Sequence, residues 1–165
     1  MSRRLLKEWE TRPLRTAIDD LESFSWILLW VALHKTDQRT AIEANWLRQL
    51  SSDDISIVAS CKGDILLSAI QFQFNNTNPF SHPLVTFLSL LQQWWIVALR
   101  ASTDLGMLIS KHSQGKAGVE DVLEDDSSRH AFYEELEGLS LRYYAEYIRL
   151  GTDFLMESGF YNNLP

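Results

Sequence analysis

Asp19-Asp20-Leu21-Glu22-Ser23-Phe24-Ser25-Trp26-Ile27-Leu28-Leu29-Trp30 is the stretch whose reading decides the fold. Acids cluster at its entrance, and from Phe24 to Leu33 it is apolar almost all the way round. A helix without a polar face belongs in the middle of a protein. Acids at its start accept backbone N–H groups, either their own or those of a neighbouring loop. Deep burial joined to a fixed acceptor holds some other segment in place. Thr16 is the N-cap this pattern asks for, with Asp19 three residues on as a capping box. The helix is expected to run to about His34 and to break at Thr36-Asp37-Gln38.

Upstream, Ser2 to Glu10 has the pattern of a short helix, which Thr11-Arg12-Pro13 ends. Downstream, Ala41, Ile42, Trp46, Leu47 and Leu50 recur at helical spacing. Ser51-Ser52-Asp53-Asp54 then supplies capping serines and first-turn acids for a further helix. That helix carries Ile55, Val58, Ala59, Ile65, Leu66 and Ala69, with Gly63 weakening its middle. Asn75-Asn76-Thr77-Asn78-Pro79 is a loop by its turn chemistry. Asn75-Asn76-Thr77 also matches a glycosylation acceptor, which the cysteine and leader evidence argues against using.

Ser81-His82-Pro83 opens a long helix, with proline in its first turn. Leu84, Leu88, Leu91, Trp95, Ala98, Leu105 and Ile109 form one stripe, which Phe87, Leu90, Trp94 and Val97 widen. The segment at about 112–128 is polar, small and acidic and reads as a mobile loop. The last helix carries Phe132, Leu136, Leu139, Tyr143, Tyr147, Leu150 and Phe154 on one face, with Gly151 as a point of bending or ending. Phe72 and Phe74 alternate with Gln71 and Gln73 too briefly to make a strand. The expected fold is all-α, a single helical domain over 1–165, with no internal repeat.

Composition sets bounds on function. A chain of 165 residues with 45% hydrophobic content, six tryptophans and eight phenylalanines can build a real core. A net charge of -7 removes the basic footprint that phosphate-driven nucleic-acid binding needs. Arg3, Arg4 and Lys7 are too few for an anionic membrane surface. No run approaches the roughly 20 apolar residues of a bilayer span, and no signal peptide is visible. Cys61 is the only cysteine, which excludes an intrachain disulfide and fits a reducing compartment. The expectation is an intracellular protein, cytoplasmic or nuclear, with a protein partner or self-association and with neither nucleic acid nor membrane.

Candidate chemistry is sparse. His34, His82, His112 and His130 lack metal-ligand spacing. The acids from Glu120 to Asp126 lack the alternation and the glycine of a calcium loop. Cys61 reads as a small buried apolar residue. Tyr143, Tyr144 and Tyr147, with Arg142 and Arg149, form an aromatic patch that is either core packing with hydroxyls at the rim or an interface. No Gly-x-Gly, His-Arg-Asp, Asp-Phe-Gly or Gly-x-x-x-x-Gly-Lys occurs, so the charges that phosphoryl transfer must position are missing. No catalytic residue, metal site or cofactor is assigned to the chain.

The Asp-Leu-Glu-Ser helix start followed by an aromatic and aliphatic run resembles the central helix of the large lobe of protein kinases. The likeness is to fungal-type protein kinases, and after them to casein-kinase-1-like enzymes. Met1-Ser2 and Arg3-Arg4-Leu5-Leu6 look like the stretch just after the activation segment in that fungal family. The resemblance covers about Met1 to Trp30; beyond it rests on Trp46-Leu47, on Lys62 and on the aromatic-rich last helix. It implies the C-terminal part of a kinase large lobe, a pseudokinase-like piece without the catalytic segments. An intact member would use ATP and magnesium to phosphorylate protein Ser or Thr. In such a domain the residue matching Asp20 accepts hydrogen bonds from the backbone of the catalytic loop. Ser23, Trp26 and Trp30 match the helix pattern as packing residues, and Ser25 departs from the glycine most kinases have there. Taken without the resemblance, Asp20 is an acid satisfied by its own first turn, and the chain is a non-catalytic helical interaction module.

Overall fold

The computed structural model describes Ser2, residues 15–72, 82–113 and 126–158, and these are helical with short connections. The order is α1 (Ala17–Lys35), α2 (Ala41–Leu50), α3 (Ile55–Phe72), α4 (His82–His112) and α5 (Asp126–Glu157). Among the described residues there is no strand, so the fold is all-α. The expected helix at Ser2 to Glu10 lies outside the described residues apart from Ser2. So do the Asn75 loop, Phe74 and most of the acidic run. Of the segment expected as a loop over 112–128, His112 belongs to α4 and residues 126–128 belong to α5, while 114–125 lie outside the described residues.

Local chemistry sets the helix starts. Thr16 is the N-cap of α1, and the Asp19 carboxylate accepts from the Thr16 N–H at 2.9 Å and from its hydroxyl at 3.0 Å. Thr40 and Glu43 form a reciprocal capping box at α2, with 2.7 Å and 3.3 Å bonds. At α3 the Asp54 carboxylate takes the Ser56 N–H at 2.8 Å, satisfying a first-turn donor that has no partner within the helix. Each such cap is worth about 1 kcal/mol.

α4 and α5, of 31 and 32 residues, dominate the packing. At 1.5 Å per residue each is roughly 45 Å long. They run antiparallel, since Phe87 meets Phe154, Trp94 meets Tyr147, and Lys111 meets Glu135. Every residue of the stripe read along α4 from Leu84 to Leu105 is buried, and Ile109 packs at its edge. α1 lies against α4, touches α5 and leads into α2; α3 closes the other side against α2 and α4. One buried cluster draws on all five helices, including Leu29, Leu33, Trp46, Ile65, Leu91, Trp95 and Tyr147. Each fully buried aliphatic side chain in it contributes about 1.5–3 kcal/mol of transfer free energy.

The last helix does not end at Gly151, and the residue serves contact instead. A Cβ placed there would sit 3.1 Å from Cζ2 of Trp94. The Trp94 ring stacks on Tyr147 at 4.3 Å and its Nε1 donates to the Tyr147 carbonyl at 3.0 Å. Glycine lets the indole lie directly on the helix.

Candidate functional site

At the head of α1, Asp19 binds Ser2, seventeen residues earlier in the chain. Its Oδ1 accepts from the Ser2 hydroxyl at 2.7 Å while Oδ2 takes Thr16. Asp19 and Ser2 are both buried. Asp20, expected from the resemblance as the acceptor, lies one residue further round and faces solvent. Its carboxylate takes the exposed Arg15 guanidinium at 2.9 Å. The reason is helical geometry: the third helical residue returns its carboxylate to the N-cap, and the next is turned about 100° away. The Thr16-to-Asp19 spacing is the signal that distinguishes the two acids. Ser23 is half-buried and donates to the Asp19 carbonyl at 2.7 Å, so it reinforces the first turn.

Trp26 and Trp30, paired as packing residues by their spacing, have different surroundings. Trp26 is buried, stacked on Trp95 at 5.0 Å, with Nε1 donating to Glu22 at 2.9 Å and the Lys62 ammonium 4.9 Å from its ring centre. Trp30 packs at the edge and is 38% exposed. It stacks on His34 and donates from Nε1 to Ser51 at 3.1 Å, one turn past the cover that Trp95 provides. Between the two indoles, Leu50, Val58 and Lys62 line a cavity of about 330 Å³.

On the other side of α1 an apolar groove of about 580 Å³ runs between Leu28, Val31, Ala32, Phe87, Trp94 and Ile148. Lys35 stands at its rim. The Thr36 and Thr152 hydroxyls beside it donate to carbonyls of their own helices, Ala32 at 2.8 Å and Ile148 at 3.0 Å. The wall is therefore almost free of groups that orient a polar ligand.

The three tyrosines of α5 are not one patch. Tyr143 and Tyr147 are core residues, and each hydroxyl ties α5 to a different place. Tyr143 donates to Asp104 on α4 at 2.7 Å, Tyr144 to the Ala17 carbonyl at 3.3 Å, and Tyr147 shares a hydrogen bond with Ser25. Burial pushes the Tyr143 and Tyr147 hydroxyls above the usual phenol range. The Tyr143 hydrogen bond, with Arg142 beside it, holds the Asp104 carboxyl below the usual carboxylate range. Ser25 is fully buried and donates to the Leu21 carbonyl.

These groups form no catalytic constellation. A charged cleft between α4 and α5 holds Asp104, Lys111, Glu135 and Arg142, but they pair with one another. Cys61 is buried and its thiol is pushed up to about 11, first by burial and then by Asp64, so it is not a nucleophile at neutral pH. Among the described residues no three His, Cys, Asp or Glu side chains converge on a metal position. None of the described helices is long and apolar enough to cross a membrane. No protein-family model, curated protein or solved structure matches the chain.

Proposed function

We propose that the chain is the C-terminal helical part of a fungal-type protein kinase-like domain. It acts there as scaffold, while the parent domain phosphorylates protein Ser or Thr with ATP and magnesium. The observation that carries this reading is the buried acidic head of α1. Asp19 binds Ser2, in a helix whose first turns carry Asp-Asp-Leu-Glu-Ser and which packs into the core. In a kinase large lobe the acid matching Asp20 accepts hydrogen bonds from the backbone of the catalytic loop; here Asp19 accepts from the Ser2 hydroxyl while Asp20 takes Arg15. Trp26, Leu29 and Leu33 are covered by the long α4, which stands in for part of the cover a whole domain supplies.

A second reading, a non-catalytic helical protein-interaction module, draws on a different observation. Phe24, Ile27, Trp30 and Val31 leave an apolar surface on α1, and contiguous surfaces of that kind mark interaction sites. The genomic sequence upstream of Met1 separates the two. A continuous frame encoding His-Arg-Asp and Asp-Phe-Gly equivalents is expected; its absence leaves the module. In both readings ATP with magnesium does not raise the melting temperature of the isolated chain. A ligand at a hundred times its Kd would add about 2.7 kcal/mol, so a clear shift refutes the non-catalytic assignment.

A further inference from the structure

Asp20, Phe24, Ile27, Val31 and Lys35 succeed one another along α1 at spacings of three or four residues, which places them on one stripe. All five are exposed, the central three at 48%, 56% and 40%. The stripe is apolar in its middle, acidic at its N-terminal end and basic at its C-terminal end. Asp20 remains half exposed beside Arg15, and Lys35 makes no ion pair among the described residues. Ile148 and Leu155, both exposed, border the stripe from α5 across the groove at Val31.

We propose that this stripe pairs antiparallel with the same stripe of a second copy, forming a two-fold dimer. An isologous contact requires that each residue find its complement on the same surface. A two-fold axis between Ile27 and Leu28 satisfies this. It sets Asp20 against Lys35 of the second copy and Phe24 against Val31, each twice, and brings the two Ile27 side chains together at the axis, with half-buried Leu28 beside them. A shift of one helical turn sets Lys35 against Phe24 in the apolar centre, which the unshifted register avoids. A parallel arrangement places Asp20 on Asp20 and Lys35 on Lys35. This mirror placement of opposite charges about an apolar centre favours a second copy over an unrelated helix, which would not need it. Beyond the stripe, Ile148 and Leu155 of each copy extend the apolar contact. The pairing is independent of whether the parent domain is a kinase.

Sedimentation velocity over a concentration series tests the proposal. The expected result is a monomer–dimer equilibrium for the wild-type chain, abolished by Ile27→Asp with helical circular dichroism unchanged. Val31→Asp gives the same readout should Ile27→Asp lose helix. Asp20→Lys and Lys35→Asp each weaken the dimer about tenfold, since each sets like charges at both ends. Mixing the Asp20→Lys chain with the Lys35→Asp chain restores the dimer, because the two complement each other at both ends. A wild-type chain that stays monomeric throughout, a dimer indifferent to Ile27→Asp and Val31→Asp, or a mixture no tighter than its components overturns the proposal.

Discussion

The inner and outer sides of α1 are built from nearly the same residue types and have opposite surroundings. On the inner side Leu21, Ser25, Trp26, Leu29 and Leu33 are buried against α4, α5 and the α2–α3 pair. On the outer side Ile27 and Val31, no less apolar, are largely open, and Phe24 stays half exposed with its ring against Trp94 and Tyr147. The difference lies in which helices reach α1. α4 supplies Trp95 over Trp26 and α5 supplies Tyr147 to Ser25, while Ile27 lies at the rim of the cavity lined by Leu50 and Val58 and remains 56% exposed. An apolar side chain contributes to folding only when something covers it. The inner side therefore carries stability, and the outer side is left for association.

The largest expected effect sets the two sides directly against each other. Leu29→Ala removes a fully buried side chain and should lower unfolding free energy by about 2–5 kcal/mol. Ile27→Ala, measured below the concentration at which copies associate, should stay within about 0.5 kcal/mol of wild type. Urea unfolding of both variants is the measurement, and equal losses would erase the distinction between the sides.

A smaller effect sharpens the comparison at the groove that borders the outer side. Gly138 faces open space, so Gly138→Ala should gain about 0.5–1 kcal/mol from helix propensity. Gly151→Ala drives a Cβ to 3.1 Å from Trp94, whose ring is held by its stack on Tyr147 and its bond to the Tyr147 carbonyl. Overpacking of that kind costs about 1–3 kcal/mol, which outweighs the propensity gain. A Gly151→Ala protein as stable as Gly138→Ala would mean that the groove wall yields.

The smallest effect is chemical. Cys61 lies inside, and burial raises its thiol from 9.0 in the unfolded chain to about 11. The folded state thus holds the proton more tightly than the unfolded state. The thiol's contribution is fully present below about pH 9 and is lost as pH rises from there to about 11. Tyr147, also raised by burial, adds a loss in the same direction. Alkaline titration of stability should fall in that window, and Cys61→Ala should remove the thiol's part of the fall. At neutral pH a thiol reagent should modify Cys61 only after denaturant is added.

Much of the architecture is legible along the chain. The α4 stripe, the face of α5 from Phe132 to Phe154, and the caps at Thr16 and before Ile55 depend on residues within a few positions of one another. Two site assignments are not legible in that way. The motif resemblance aligns on Asp20, whereas the capping spacing from Thr16 selects Asp19. Spacing pairs Trp30 with Trp26 because they share a side of the helix, but the cover given by Trp95 stops one turn short of Trp30.

The sequence by itself determined that the chain is helical, where most of the helices begin, and that α1 has no polar side. These depend on local hydrogen bonding and on the 3.6-residue period, which neighbouring residues encode. Only the tertiary structure decided which apolar side of α1 is covered, that Ser25 meets Tyr147 across 122 residues, and that Gly151 admits Trp94. Periodicity states that a face is apolar. Which helix comes to lie on that face depends on the lengths and crossings of all of them at once.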